Sequence, residues 1–81
     1  MLFATGTWPV GGPIPPRFAT LSPDLVDWLA RMEVVLIGLD TPSVEEPGAP
    51  DLPAHRRCLE RSVVILEGLG LTGVAPGLYT L

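Results

Sequence analysis

Glu67 is the only charged side chain between Ser62 and Leu81, and it stands in the apolar stretch Val63-Val64-Ile65-Leu66-Glu67-Gly68-Leu69. Such a run reads as a buried strand. A lone carboxylate there sacrifices several kcal/mol of hydration, or its charge, unless something neutralises it. Three partners are open: a metal ion, an arginine (Arg61 or Arg17), or a proton. His55 is the only histidine and falls on the apolar side of an expected helix. It reads either as a core imidazole bonded to backbone or, with Glu67, as a ligand. A neutral imidazole and a carboxylate suit Zn²⁺ or a similar ion, at ~2.0–2.2 Å from each.

Two ligands do not complete a zinc site, which takes three or four. Cys58, three residues after His55, is one candidate for a third; its structural reading is a small buried hydrophobe on the helix face. Asp40, at the end of a second apolar run, is another; its structural reading is a turn-forming Asp before Thr41-Pro42. Nucleophilic catalysis is not supported. Ser43 and Cys58 have only His55 as a possible base, and nothing in the sequence brings either to it. Trp8 and Trp28 read as packing residues, with Trp8 also placed to line a substrate pocket from a Pro/Gly-rich loop.

The elements that must position these residues are legible. Residues 2–5 form a short expected strand, and residues 6–20 form a loop rich in Pro and Gly. Ser22-Pro23-Asp24 is a helix start, with an N-cap serine, proline at the first helical position and an acid in the first turn. The helix runs over residues 23–32, with Leu25, Trp28, Leu29 and Met32 as its apolar stripe and Asp24, Asp27 and Arg31 opposite. Residues 34–39 are a continuous apolar run rich in β-branched residues, expected to be covered on both faces. Residues 42–50 are loop. Asp51 is the expected cap of a second helix over residues 52–61, with Leu52, His55, Cys58 and Leu59 on one face. Residues 63–67 form the next strand, and residues 78–81 look like the start of another. Short strands alternating with two helices indicate an α/β fold. The expected end of the second helix, close before a strand, brings His55 towards the strand ends where ligands collect in open α/β sheets.

Composition bounds the partners. Nine acids against five arginines, with no lysine, give a net charge of −4. Without a basic stripe, nucleic acid is not an expected partner. The single cysteine excludes an internal disulfide. The first residues lack the features of a signal peptide, and no apolar run nears the ~20 residues of a membrane-spanning helix. No membrane partner and a cytoplasmic location are therefore expected. Charged residues make up 17% against 47% hydrophobic, an imbalance that suggests a surface covered by more chain or by a partner.

Four blocks carry a resemblance. Leu21-Ser22-Pro23 through Trp28-Leu29-Ala30, Leu36-Ile37-Gly38-Leu39-Asp40-Thr41-Pro42-Ser43-Val44, Asp51-Leu52-Pro53-Ala54-His55 and Ile65-Leu66-Glu67-Gly68-Leu69 resemble the C-terminal half of bacterial kynurenine formamidase, the metal-dependent, cyclase-like arylformamidase family. The resemblance implies that residues 1–81 are a single partial domain, a fragment of the cyclase-like (swivelling β/β/α) fold. It implies hydrolysis of N-formyl-L-kynurenine to L-kynurenine and formate in tryptophan degradation, at a two-metal centre that is usually zinc. It implies His55 as a ligand of one metal and Glu67 as a ligand touching both. The family's other ligands lie in a His-x-Gly-Thr-His-x-Asp-x-Pro-x-His motif, which this chain lacks. Arg56 and Arg57 stand where the family often has another histidine and small residues, and they are expected to face solvent. The chain is accordingly expected to be inactive alone. The alternative is a non-catalytic binding module that pairs with a missing N-terminal half or forms a homo-oligomer.

Overall fold

The computed structural model describes residues 1–80. Three strands, β1 (Leu2–Phe3), β2 (Leu36–Leu39) and β3 (Val64–Leu66), make a parallel sheet in the order β1-β2-β3. Parallel neighbours need crossover connections. Helices α1 (Pro23–Arg31) and α2 (Pro53–Glu60) supply them and pack against each other on one side of the sheet. The register places Gly38 of β2 opposite Leu2 on one side and Leu66 on the other. The Cα envelope is 34 × 31 × 15 Å, thin enough for two layers only.

The core lies between those layers. Val26 and Leu29 of α1, Ala54 and Cys58 of α2, and Ile37 and Leu39 of β2 are essentially inaccessible, with Ile65 packed against them. The opposite face of β2 is closed over Gly38, where an added Cβ would lie 2.6 Å from Leu2 and 2.7 Å from Leu69. That face is not closed over β3: Val64 and Leu66 are exposed. β3 is thus an edge strand buried on one face only, rather than the fully buried strand expected. Residues 78–80 form no strand; Leu81 lies outside the described residues.

Local chemistry explains the element ends. The Ser22 hydroxyl accepts from the Leu25 N–H at 3.1 Å, capping α1 as its sequence predicts. Asp51 does not cap α2. It and Leu52 both hold positive φ (63° and 46°), outside the right-handed helical region. Leu52 therefore occupies the N-cap with no side-chain bond to offer. Both helices end alike. Val34 N–H reaches Leu29 O and Glu33 N–H reaches Ala30 O; Val63 N–H reaches Cys58 O and Ser62 N–H reaches Leu59 O. These are Schellman closures, with Glu33 and Ser62 in the left-handed position that glycine fills most easily.

Two predicted faces are rotated. Trp28 and Met32 are exposed, and Val26 replaces them in the core; Leu52 and Leu59 are exposed while Ala54 is buried. The cause lies between the helices. Asp27, expected on the outer side of α1, bonds Arg57 and, at 2.9 Å, Arg61. Turning Asp27 to α2 swings Trp28 outward. Arg56 is exposed as expected, whereas Arg57 is not free in solvent.

Candidate metal centre

The site forms where β2 and β3 end and α2 begins. Asp40, directly after β2, is buried and accepts from Thr5 N–H at 2.9 Å, Thr5 Oγ1 at 2.6 Å and Gly6 N–H at 3.0 Å. Burial would raise its carboxyl, but the Thr5 and Gly6 hydrogen bonds outweigh burial and hold the pKa below its ordinary value. The following loop folds inward through its own polar groups. Thr41 Oγ1 donates to Ser43 O at 2.9 Å, and Ser43 Oγ accepts from Glu45 N–H at 3.0 Å. Gly68 N–H donates to Thr41 O at 2.7 Å, which ties the loop to the chain leaving β3. Val44 and Glu45 are buried as a result.

His55 sits on the first turn of α2 between two carboxylates. Its Nδ1 lies 3.2 Å from Glu45 Oε1, and its Nε2 lies 3.1 Å from Glu67 Oε2. The same Glu45 oxygen accepts the His55 backbone N–H at 2.7 Å. Glu45 thereby satisfies one of the four N–H groups that a helix start leaves unpaired, the work Asp51 was expected to do. Glu67 Oε2 also accepts the Val44 N–H at 2.8 Å, which aims this oxygen at the imidazole.

A neutral imidazole has one N–H and one lone pair. It can donate to one of these carboxylates, and its lone pair then faces the other. Two electron donors facing each other at 3.1 Å need a cation between them, a proton or a metal ion. Two ligands each ~2.0–2.2 Å from one ion are themselves roughly 3–3.5 Å apart, so Nε2 and Oε2 fit as a pair. Glu45, on the far side of the ring, holds the partner position that a carboxylate takes behind a metal-bound histidine.

The other candidates have different tasks. Cys58 is fully buried in the core, and its thiol is pushed up by burial and by the charges of Glu45 and Glu67. Asp40 is occupied by the Thr5 and Gly6 donors. Ser43 Oγ is engaged by the loop. Arg61 is paired with Asp27, not with Glu67, and Arg17 lines a shallow groove of about 440 Å³ with Pro16, Phe18, Glu46 and Pro47. The Trp8 indole N–H donates to Gly12 O and Pro13 O, so this residue closes its own loop. Glu67 itself is not buried in a strand. It follows β3, and its side chain keeps 31% of its accessibility. Among the described residues, no three His, Cys, Asp or Glu side chains converge on one point. His55 and Glu67 are the two side chains whose donor atoms face each other.

Glu45 went unnoticed in the sequence because it sits ten residues before His55 in a loop with no periodicity. Its signal was negative: Leu52 cannot cap α2 with its side chain, so the helix start had to find its acceptor elsewhere.

No family model matches the chain. Individual proteins do. It is 45% identical over 67 residues to the kynurenine formamidase of Salinibacter ruber, covering 83% of this chain and 32% of that protein. It is 44% identical over 64 residues to the kynurenine formamidase of Bordetella petrii, covering 79% of this chain and 31% of that one. With the kynurenine formamidase of Geobacillus thermodenitrificans it shares 38% identity over all 81 residues, covering 39% of that protein. The chain spans about a third of the length of the curated relatives it matches. Across that third, the chain is a homologue of the kynurenine formamidases.

Proposed function

We propose that this chain contributes His55 and Glu67 to the metal centre of an amide hydrolase whose substrate is N-formyl-L-kynurenine, with zinc as the metal. The relatives' shared name supports the reaction class. The observation that carries the site is His55 Nε2 facing Glu67 Oε2 at 3.1 Å while Nδ1 is engaged by Glu45. When bound, zinc supplies Lewis-acid polarisation of the formamide carbonyl and makes water acidic enough to act as a nucleophile near neutral pH. This chain's own share is positional. His55 and Glu67 are held at the carboxyl ends of a parallel sheet, and Val44 N–H fixes the Glu67 carboxylate. Two donors do not complete a catalytic zinc site, so the 81 residues alone are expected to be inactive.

Zinc titration of the chain by calorimetry, with formate release from N-formyl-L-kynurenine as the second readout, tests this. Binding that His55→Ala abolishes, without turnover, is the expected result. Turnover well above a zinc-only control overturns the claim of inactivity, and zinc binding indifferent to His55→Ala overturns the site.

A second reading has its own observation. Val64 and Leu66 leave an apolar strip on the face of β3 away from the helices, which fits a module that docks on a partner chain or on itself. A clean monomer in sedimentation at tens of micromolar argues against self-association. Absence of a nucleic-acid partner and a cytoplasmic location belong to the same proposal, supported by the charge balance and by the single buried thiol. Among the described residues, no helix is long and apolar enough to cross a membrane.

A further inference from the structure

We propose that Glu45 is the positioning residue of the centre: it takes the single proton of the neutral His55 ring on Nδ1 and so keeps the Nε2 lone pair free for a metal. Glu45 and Glu67 compete for that proton from opposite sides, at nearly equal distances of 3.2 and 3.1 Å. The competition is decided by surroundings. The Glu45 side chain keeps 6% of its accessibility and that of Glu67 keeps 31%. A hydrogen bond to a carboxylate is stronger where water is excluded, because the effective dielectric is lower. Glu45 Oε1 is also pinned by the His55 backbone N–H at 2.7 Å, so it cannot turn from the ring without uncapping α2. Glu67 Oε2 likewise accepts a backbone N–H, that of Val44 at 2.8 Å, so burial is what separates the two carboxylates.

If Glu45 is removed, the ring proton has a single acceptor left, Glu67. It moves to Nε2 and occupies the nitrogen that should bind the metal. Glu45 would thus set metal affinity without touching the metal. Its loss should cost about 10–100-fold, the range for an outer-sphere partner of a ligating histidine.

The proposal rests on His55 being a metal ligand, but the proton's position can be read without metal. The chain has one histidine, so a two-dimensional ¹⁵N–¹H spectrum of the imidazole shows a single ring. In metal-free protein, at a pH where the ring nitrogen shifts themselves report the neutral form, the wild type is expected as the Nδ1–H tautomer. Glu45→Ala is expected to convert it to Nε2–H and to weaken zinc binding about 10–100-fold. Glu45→Gln retains an acceptor oxygen and should retain the Nδ1–H tautomer, with an intermediate zinc affinity. This variant and the wild-type spectrum keep the test decisive if Glu45→Ala fails to fold. A wild-type Nε2–H tautomer overturns the proposal, as does an unchanged tautomer in folded Glu45→Ala. Nδ1–H in the wild type, lost in Glu45→Ala, supports Glu45 as the positioning residue even if wild type and His55→Ala both fail to bind zinc. That last pattern would overturn the metal reading alone.

Discussion

Helix α2 carries two charged clusters, and they differ in how donors and acceptors are matched. Towards α1, the guanidiniums of Arg57 and Arg61 meet the carboxylate of Asp27, with Glu60 also beside Arg57, and every contact joins a donor to an acceptor. Towards the sheet ends, one imidazole meets the carboxylates of Glu45 and Glu67. There the acceptors outnumber the donors of a neutral ring. The first cluster is complete as it stands and joins two helices. The second has a place for one more cation. The first cluster needs nothing further to hold the helices together, and the surplus of acceptors around His55 is what the proposed site rests on.

The largest effect that can break this comparison is on zinc. Glu67→Gln keeps an oxygen for the Val44 N–H but loses the charge a metal needs, so zinc affinity should fall by more than the ~100-fold expected of an outer-sphere change. Calorimetric titration measures it. Equal affinities in wild type and variant would place the metal, if any, elsewhere.

Asp40 sharpens the contrast, since it is a buried carboxylate supplied only with donors. Asp40→Asn should cost about 1.5–3 kcal/mol in urea unfolding, the worth of hydrogen bonds to a charged group. Its folded pKa is depressed. Its contribution is therefore fully present above the unfolded value of ~3.9 and is lost as pH falls through the folded value. Stability measured from pH 6 down to pH 2 should drop on that limb in the wild type and drop less in Asp40→Asn.

Asp27 follows the same sign. Burial would raise its carboxyl, but the Arg61 hydrogen bond and the two guanidinium charges outweigh burial and lower its pKa. Asp27→Asn should reduce the melting temperature, with less loss at high salt, where the wild-type pairs are already screened. Zinc affinity should stay within about twofold, as expected for independent sites. A large change in zinc affinity would show that the two clusters on α2 are coupled.

The sequence disclosed the order of elements because its signals were local. Ser22-Pro23 starts α1, the apolar run 34–39 contains β2, and Asp40-Thr41-Pro42 ends it. It disclosed His55 and Glu67 because each is chemically out of place on an apolar face. The orientation of the helices was not legible. Trp28 is exposed because Asp27 turns towards α2, and that is a contact across 30 residues. Glu45 was hidden for the same reason: its meaning depends on a helix start ten residues later that lacks a side-chain cap. Glu67 stood out for a partly mistaken reason. It is anomalous beside apolar neighbours, yet only Val63 and Ile65 among them face the core, while Val64 and Leu66 line an open edge.

The smallest expected effect lies at the end of α2, the element both clusters share. Ser62 closes the helix with φ at 56°, where a side chain crowds the backbone and glycine does not. Ser62→Gly keeps the Val63-to-Cys58 closure and should raise the unfolding free energy by about 0.5–1 kcal/mol, net of the entropy glycine adds to the unfolded chain. Urea denaturation resolves that change. Arg61 is one residue from this closure and bonds Asp27, whereas His55 is at the other end of the helix. If the clusters are independent, the variant gains stability with unchanged zinc affinity. A matched gain in zinc affinity would mean that fraying of α2 limits how firmly His55 is held, and that the structural cluster serves the site through the helix between them.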